Sequence, residues 1–193
     1  MPVIRVTAGT MAGQDDRVLS VQFNDAAAQS LGLPHGLQPA VLAGGITPGL
    51  EDLLRSGIVR RGPVLAWADS QASAENAPGR LGDLTGWECA HSSFHLEDLV
   101  PVDVAIIDNA PVISEAGQRT LLIQGLNFSL RFASLVHGLP EPGAVRCIIG
   151  ANETNTTFRF HQIRPGERWN RPDLDDYKLD KMIVIDVKPA VRP

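Results

Sequence analysis

The sequence predicts an α/β chain, an α+β sandwich in which two βαβ units share one sheet with helices on one face, followed by a C-terminal hairpin. Three observations predict it. Short β-branched runs at Val3–Thr7, Val102–Ile107 and Ala144–Ile149 read as strands. Between them lie stretches with apolar residues in steps of three and four, Leu19, Phe23, Ala27 and Leu31 in the first half and Leu121, Gly125, Phe128, Phe132 and Leu135 in the second. Each helical stretch follows acidic or capping residues and stops at a Gly-Leu-Pro sequence.

The 193 residues divide into a first unit over residues 1–45, a connector or insertion over 46–101, a second unit over 102–150, and a hairpin with tail over 151–193, all within one domain. In the first unit a strand from Val3 leads through a glycine-containing loop to Asp15 and Asp16, acids suited to a helix N-terminus. The helix ends at Gly32 and Pro34, and residues 38–43 read as a second strand. The connector is rich in Gly, Ser and Ala and holds one strand, Pro63 to Trp67. In the second unit Asp108-Asn109 closes a strand, Ser114 caps a long helix, and the strand through Ile149 follows. Two last strands run from Thr156 to Ile163 and from Met182 to Val187.

Composition bounds function. With 44% hydrophobic and 20% charged residues the chain can bury a core. The net charge of −5, with scattered basic residues, argues against nucleic acid as a partner. No apolar run reaches the length of a membrane span and no signal-peptide pattern is present, so the expectation is a cytoplasmic protein. Cys89 and Cys147 lack metal or redox spacing and read as reduced core thiols.

Four residues carry candidate chemistry. Removal of Met1 would leave Pro2 as a secondary amine, whose ammonium form is disfavoured beside apolar groups and cations, giving a neutral base near pH 7. Arg146 stands alone among apolar strand residues. In Phe158-Arg159-Phe160-His161, strand alternation sends the aromatics to the core and Arg159 and His161 to solvent or to a cleft. Arg164, Glu167 and Arg168 read as surface ion pairs. His91 and His95 could join His161 around a metal only if a helix carried them, and Ser92-Ser93 argues against one, so no metal is expected. Trp67, Trp87 and Trp169 are core anchors or pocket walls.

Met1-Pro2-Val3-Ile4-Arg5-Val6, the Gly13–Arg17 stretch, Ser30–Pro34, and Leu139–Ile149 with its single arginine resemble the tautomerase superfamily. The resemblance implies a cofactor-independent isomerase or lyase in which Pro2 is the general acid/base. Arg146 would then hold the carboxylate of a small carbonyl compound or unsaturated acid, and the chain would form a homo-oligomer, a trimer in particular. Ala12 and Ile113 stand where the family often has a loop arginine, so Arg159 and His161 become the candidate replacements. A non-catalytic oligomeric binding or scaffold protein of the same fold is the alternative that this departure favours, and a metal-dependent enzyme built on His91, His95 and His161 is the third reading.

Overall fold

The computed structural model describes residues 3–7, 18–33 and 44–188. The α+β class holds, and every strand pairing in it is antiparallel. The main sheet has six strands in the order β1 (Val3–Thr7), β2 (Val18–Phe23), β10 (Lys181–Val187), β8 (Val145–Ala151), β9 (Thr156–Gln162), β5 (Phe94–His95). Two separate ribbons accompany it, β3 (Ile58–Arg61) with β4 (Val64–Trp67), and β6 (Val104–Ile107) with β7 (Ala110–Ile113).

The two expected βαβ units are therefore replaced by hairpins. In the first half the error lies in residues 18–23, expected as helix and found as β2 pairing back onto β1. Leu19, Phe23 and Ala27 are four apart, a spacing that fits one face of a helix and one face of a strand equally. Val21 decides between them: Leu19, Val21 and Phe23 are all buried while Ser20 and Gln22 are not. The helix proper, α1 (Asp25–Leu31), starts only after Asn24, whose side chain accepts from the Ala27 N–H at 2.9 Å and from the Met182 N–H at 2.9 Å. Gly32, at φ 74°, ends it. The strand expected over 38–43 lies outside the described residues, as do Asp15 and Asp16.

In the second half Asp108 and Asn109 do form the turn, at φ 50° and 62°. Two consecutive left-handed residues make the tight hairpin turn that suits twisted strands. It sends the chain straight back into β7, so β6 never reaches the main sheet. Ser114 caps the next helix, α4 (Glu115–His137), through the Gly117 N–H. Its Leu121, Leu122, Phe128 and Phe132 are fully buried against the sheet. Gly125 allows the closest approach, since a Cβ there would lie 2.9 Å from Leu96 and 3.1 Å from Ile149.

The expected C-terminal hairpin is also corrected. β10 does not pair with β9; it inserts between β2 and β8, with Asn24 tying its start. Central position explains its Met-Ile-Val-Ile-Asp-Val sequence, apolar on both faces.

Residues 46–101 are built into the fold rather than added to it. α2 (Pro48–Ser56) lies on α4, and Trp67 of β4 joins an aromatic cluster with Phe94, Phe128, Phe132 and Phe160. α3 (Leu84–Ser92) runs along β9 and closes its edge beyond the two-residue β5. Ser92 Oγ donates to the Phe160 carbonyl at 2.8 Å and accepts from its N–H at 2.9 Å, and Glu88 accepts from the Gln162 N–H at 2.7 Å. Side chains thus occupy the positions another strand would take, which protects the edge.

Candidate functional site

Strand alternation gives the main sheet two unlike faces. Val145, Cys147 and Ile149 of β8, Phe158 and Phe160 of β9, and Ile183, Ile185 and Val187 of β10 form the core face under the helices. Arg146, Ile148 and Gly150, then Thr157, Arg159 and His161, then Met182, Val184 and Asp186 point the other way. The segment from Arg164 to Asp180 folds over this second face. Leu174 pins it there, fully buried against Ile148, Met182 and Val184 with Tyr177 beside them.

The structure brings three of the four expected site residues onto this face. Arg146, however, is already engaged. Its Nε and Nη2 donate to Asp186 at 2.6 and 2.9 Å, and its Nη1 reaches Asn170 Oδ1 at 3.3 Å. Asp186 is the register partner of Arg146 across the β8–β10 ladder, so the pair is a bidentate cross-strand clamp. The signal was present as a lone acid within the apolar run of β10.

His161 pairs in register with Arg146 on the other side and is buried rather than solvated. Its Nδ1 lies 2.7 Å from the Gln162 carbonyl, so that nitrogen carries the proton and donates. Nε2 is left as a bare acceptor with no partner among the described residues. Burial holds this imidazole below the ordinary histidine range; the Gln162 bond opposes that, and the Arg146 charge adds to it.

Arg159 differs from both. Its guanidinium carbon sits 5.4 Å from the centre of the Trp169 ring, and it has no hydrogen-bond acceptor or carboxylate among the described residues. Burial lowers its pKa, with Cys89 and Tyr177 nearby acting in the opposite sense. It opens into a cavity of about 170 Å³ lined also by Ile148, Gly150, Thr157, Trp169, Asn170, Tyr177, Asp180 and Met182. Gly150 helps form the floor, where a Cβ would lie 3.2 Å from Met182 Sδ. A larger open depression of about 800 Å³ lies near β4, but its arginine, Arg61, is spent on the carbonyls of Ala68, Ser70 and Ala72. The smaller cavity, where Arg159, Asn170, Tyr177 and Asp180 converge, is the candidate site.

Pro2 and Ala12 lie outside the described residues. Val3, the first described, is level with Arg159 through Gln22, Val184 and Ile148 but four strands away, about 19 Å at the usual strand spacing. Ile113 is buried at the end of β7, its N–H donating to the Glu153 carbonyl.

The histidines considered as metal ligands go to separate partners. His91 stacks on Trp87 with ring centres 4.1 Å apart, while His95 faces Glu97 at 3.3 Å. Among the described residues no three His, Cys, Asp or Glu side chains converge as a metal would need.

Arg164 is not a surface residue as expected. Its Nη1 and Nη2 donate to Glu88 at 2.7 and 2.8 Å, and Glu88 is fully buried. Leu65 N–H, Gln162 N–H and Gln162 Nε2 complete the donors around that carboxylate. This knot anchors the start of the covering segment to α3, β4 and β9. Glu88 was invisible in the sequence because a single acid in a helix reads as exposed.

An α+β chain whose sheet carries a half-buried guanidinium, unpaired among the described residues, over a small cavity is the class defined by fold and site. Residues 38–191 match the model of the family described as the uncharacterized protein PM0498 family, and the chain belongs to that family. No curated protein and no solved structure matches it. Among the described residues no helix is long and apolar enough to cross a membrane.

Proposed function

We propose that the chain binds a small carboxylate in the cavity between the sheet and the 164–180 segment, with Arg159 as its anchor. One observation carries this reading: Arg159 is desolvated, held over Trp169, and matched by no anion among the described residues. A desolvated guanidinium left without an acceptor costs stability, and a carboxylate entering the cavity satisfies it bidentately. Arg146 acts behind it, fixing Asn170 in the cavity wall. His161, neutral and donating to the backbone, adds no competing charge. The cavity's size suits a small organic acid and excludes a large cofactor. Two unpaired buried cysteines support a cytoplasmic setting.

The test is calorimetric titration of acetate, pyruvate and benzoate, with Trp169 fluorescence as a second readout. Saturable binding that Arg159→Met abolishes is expected. Equal binding by that variant, or none by the unaltered chain, overturns the proposal.

Proton shuttling by Pro2, as the tautomerase resemblance implies, combines with this cavity only across a subunit boundary, because Val3 and Arg159 lie four strands apart. That second reading therefore requires a homo-oligomer. The exposed β6–β7 ribbon, with Ile106 and Ile107 on its surface, favours one. Intact mass and sedimentation test it: retained Met1, or a monomer that turns over no phenylpyruvate enol, ends it.

A further inference from the structure

The cavity holds a second charged group that the carboxylate reading leaves unused. Asp180 lines the same space as Arg159 and is half-buried. Its Oδ1 accepts from Asn152 Nδ2 at 2.8 Å, and it has no cationic partner among the described residues. The neighbouring Lys181 is committed elsewhere, to Glu115 at 3.0 Å and to Gln118. Arg159 and Asp180 are likewise not paired with each other.

Register shows why. Arg159 is level with Ile148 on β8, whereas the Asp180 carboxylate is held at the level of Asn152. Four residues separate those levels, about 13 Å at the usual strand rise, and β8 lies between β9, which carries Arg159, and β10, which Asp180 immediately precedes. The residues that carry the cation and the anion are therefore set apart along the sheet beneath one small cavity that both of them line. The rest of the lining combines Ile148 and Met182 of the sheet and Tyr177 and Trp169 of the covering segment with the polar side chains of Thr157 and Asn170. Gly150 keeps the floor between the ends free of a side chain.

We infer that the ligand is a small zwitterion, an ω-amino acid whose carboxylate meets Arg159 and whose ammonium meets Asp180 across a short run of methylenes. This rests on the carboxylate reading above and narrows it. A single unpaired charge in a cavity selects only a sign; two opposite charges at fixed separation select a length. An α-amino acid carries both charges on one carbon and cannot span the ends. The cavity of about 170 Å³ equals roughly five or six water molecules of liquid volume, room for a short chain and not for a peptide.

The experiment compares pentanoate, 5-aminopentanoate, pentylamine and glycine by calorimetry at neutral pH on the full chain, its Asp180→Asn variant and its Arg159→Met variant. Asp180→Asn keeps the acceptor for Asn152, and its melting temperature confirms that the fold survives. 5-Aminopentanoate should bind about five-fold more tightly than pentanoate, the size of a partly exposed ion pair. Asp180→Asn should erase that gain and leave pentanoate within about two-fold of its original affinity. Glycine should not compete. Equal binding of pentanoate and 5-aminopentanoate by the unaltered chain, or a gain that survives Asp180→Asn, overturns the zwitterion inference and leaves the carboxylate reading intact. Absence of any Arg159-dependent carboxylate binding overturns both.

Discussion

Two arginines on neighbouring strands of one sheet face should respond unequally to the same substitution. Arg146→Met removes the partner of Asp186, whose side chain is 11% exposed and has no other donor among the described residues. Breaking a buried ion pair from one side leaves an uncompensated charge and typically costs about 3–5 kcal/mol; partial exposure here places the expected loss near 3 kcal/mol. For a chain of this size that corresponds to a drop of roughly 6–12 °C in melting temperature. Arg159→Met deprives nothing of a hydrogen bond. It gives up the Trp169 contact, worth about 0.5–1 kcal/mol, and removes a partly desolvated guanidinium, which acts in the opposite sense, while the methionine keeps the apolar stem packed. The net change should stay within about 1 kcal/mol, or about 4 °C. Circular dichroism in urea and scanning calorimetry measure both variants without depending on Trp169 emission. Equal losses for the two variants would refute the reasoning, because Arg159 would then be a structural residue with a partner of its own.

Glu88→Gln should cost about 3–5 kcal/mol in urea unfolding, since one amide oxygen cannot serve the donors from Leu65, Gln162 and Arg164 that the carboxylate now serves; a loss under about 1 kcal/mol would show that the knot is dispensable. His161 should make stability fall with acid. Its folded pKa is depressed below 6.5, so as pH drops through that value the unfolded chain takes up a proton that the folded imidazole resists. Stability then declines at up to about 1.4 kcal/mol per pH unit until the folded group titrates, and His161→Gln should flatten that part of the curve. Cys89 and Cys147 should resist thiol reagents in the folded chain, because burial pushes the Cys89 thiol up to about 12 and that of Cys147 higher still. Rapid labelling without unfolding would count against the described burial.

What the sequence disclosed depended on whether local pattern and tertiary pairing agreed. α4 was legible because Ser114, the three-and-four periodicity and Gly138 all concur over many residues. β8, β9 and the sides on which Phe158, Arg159, Phe160 and His161 fall were legible for the same reason, alternation over a full strand. β2 was not, because Leu19 and Phe23 satisfy both periods and only Val21 breaks the tie. Parallel versus antiparallel pairing was illegible as well. It turns on contacts between residues far apart, such as Asn24 with Met182, that leave no local mark. At the site, the charges were visible and their partners were not. Arg146 and Arg159 look alike in sequence, and only Asp186 across the ladder separates a clamp from an unpaired cation.

That separation follows from how the sheet divides its work. The core face, with its aromatic cluster and α4, supplies the large apolar burial that folding requires. The opposite face can then hold groups that burial alone would disfavour. Arg146 and Asp186 cancel each other at the centre of the sheet, and Glu88 with Arg164 fastens the covering segment at its start. Leu174 fastens it again further along. Between those two anchors the segment spans Arg159 without contributing an anion, although Asp173, Asp175, Asp176 and Asp180 all lie on it. Asp173 accepts from the Asp175 N–H within its own turn, Asp175 accepts from the Asp25 N–H at the start of α1, and Asp180 holds Asn152. Three of these four carboxylates are thus turned to other partners, and the guanidinium stays open to whatever enters the cavity.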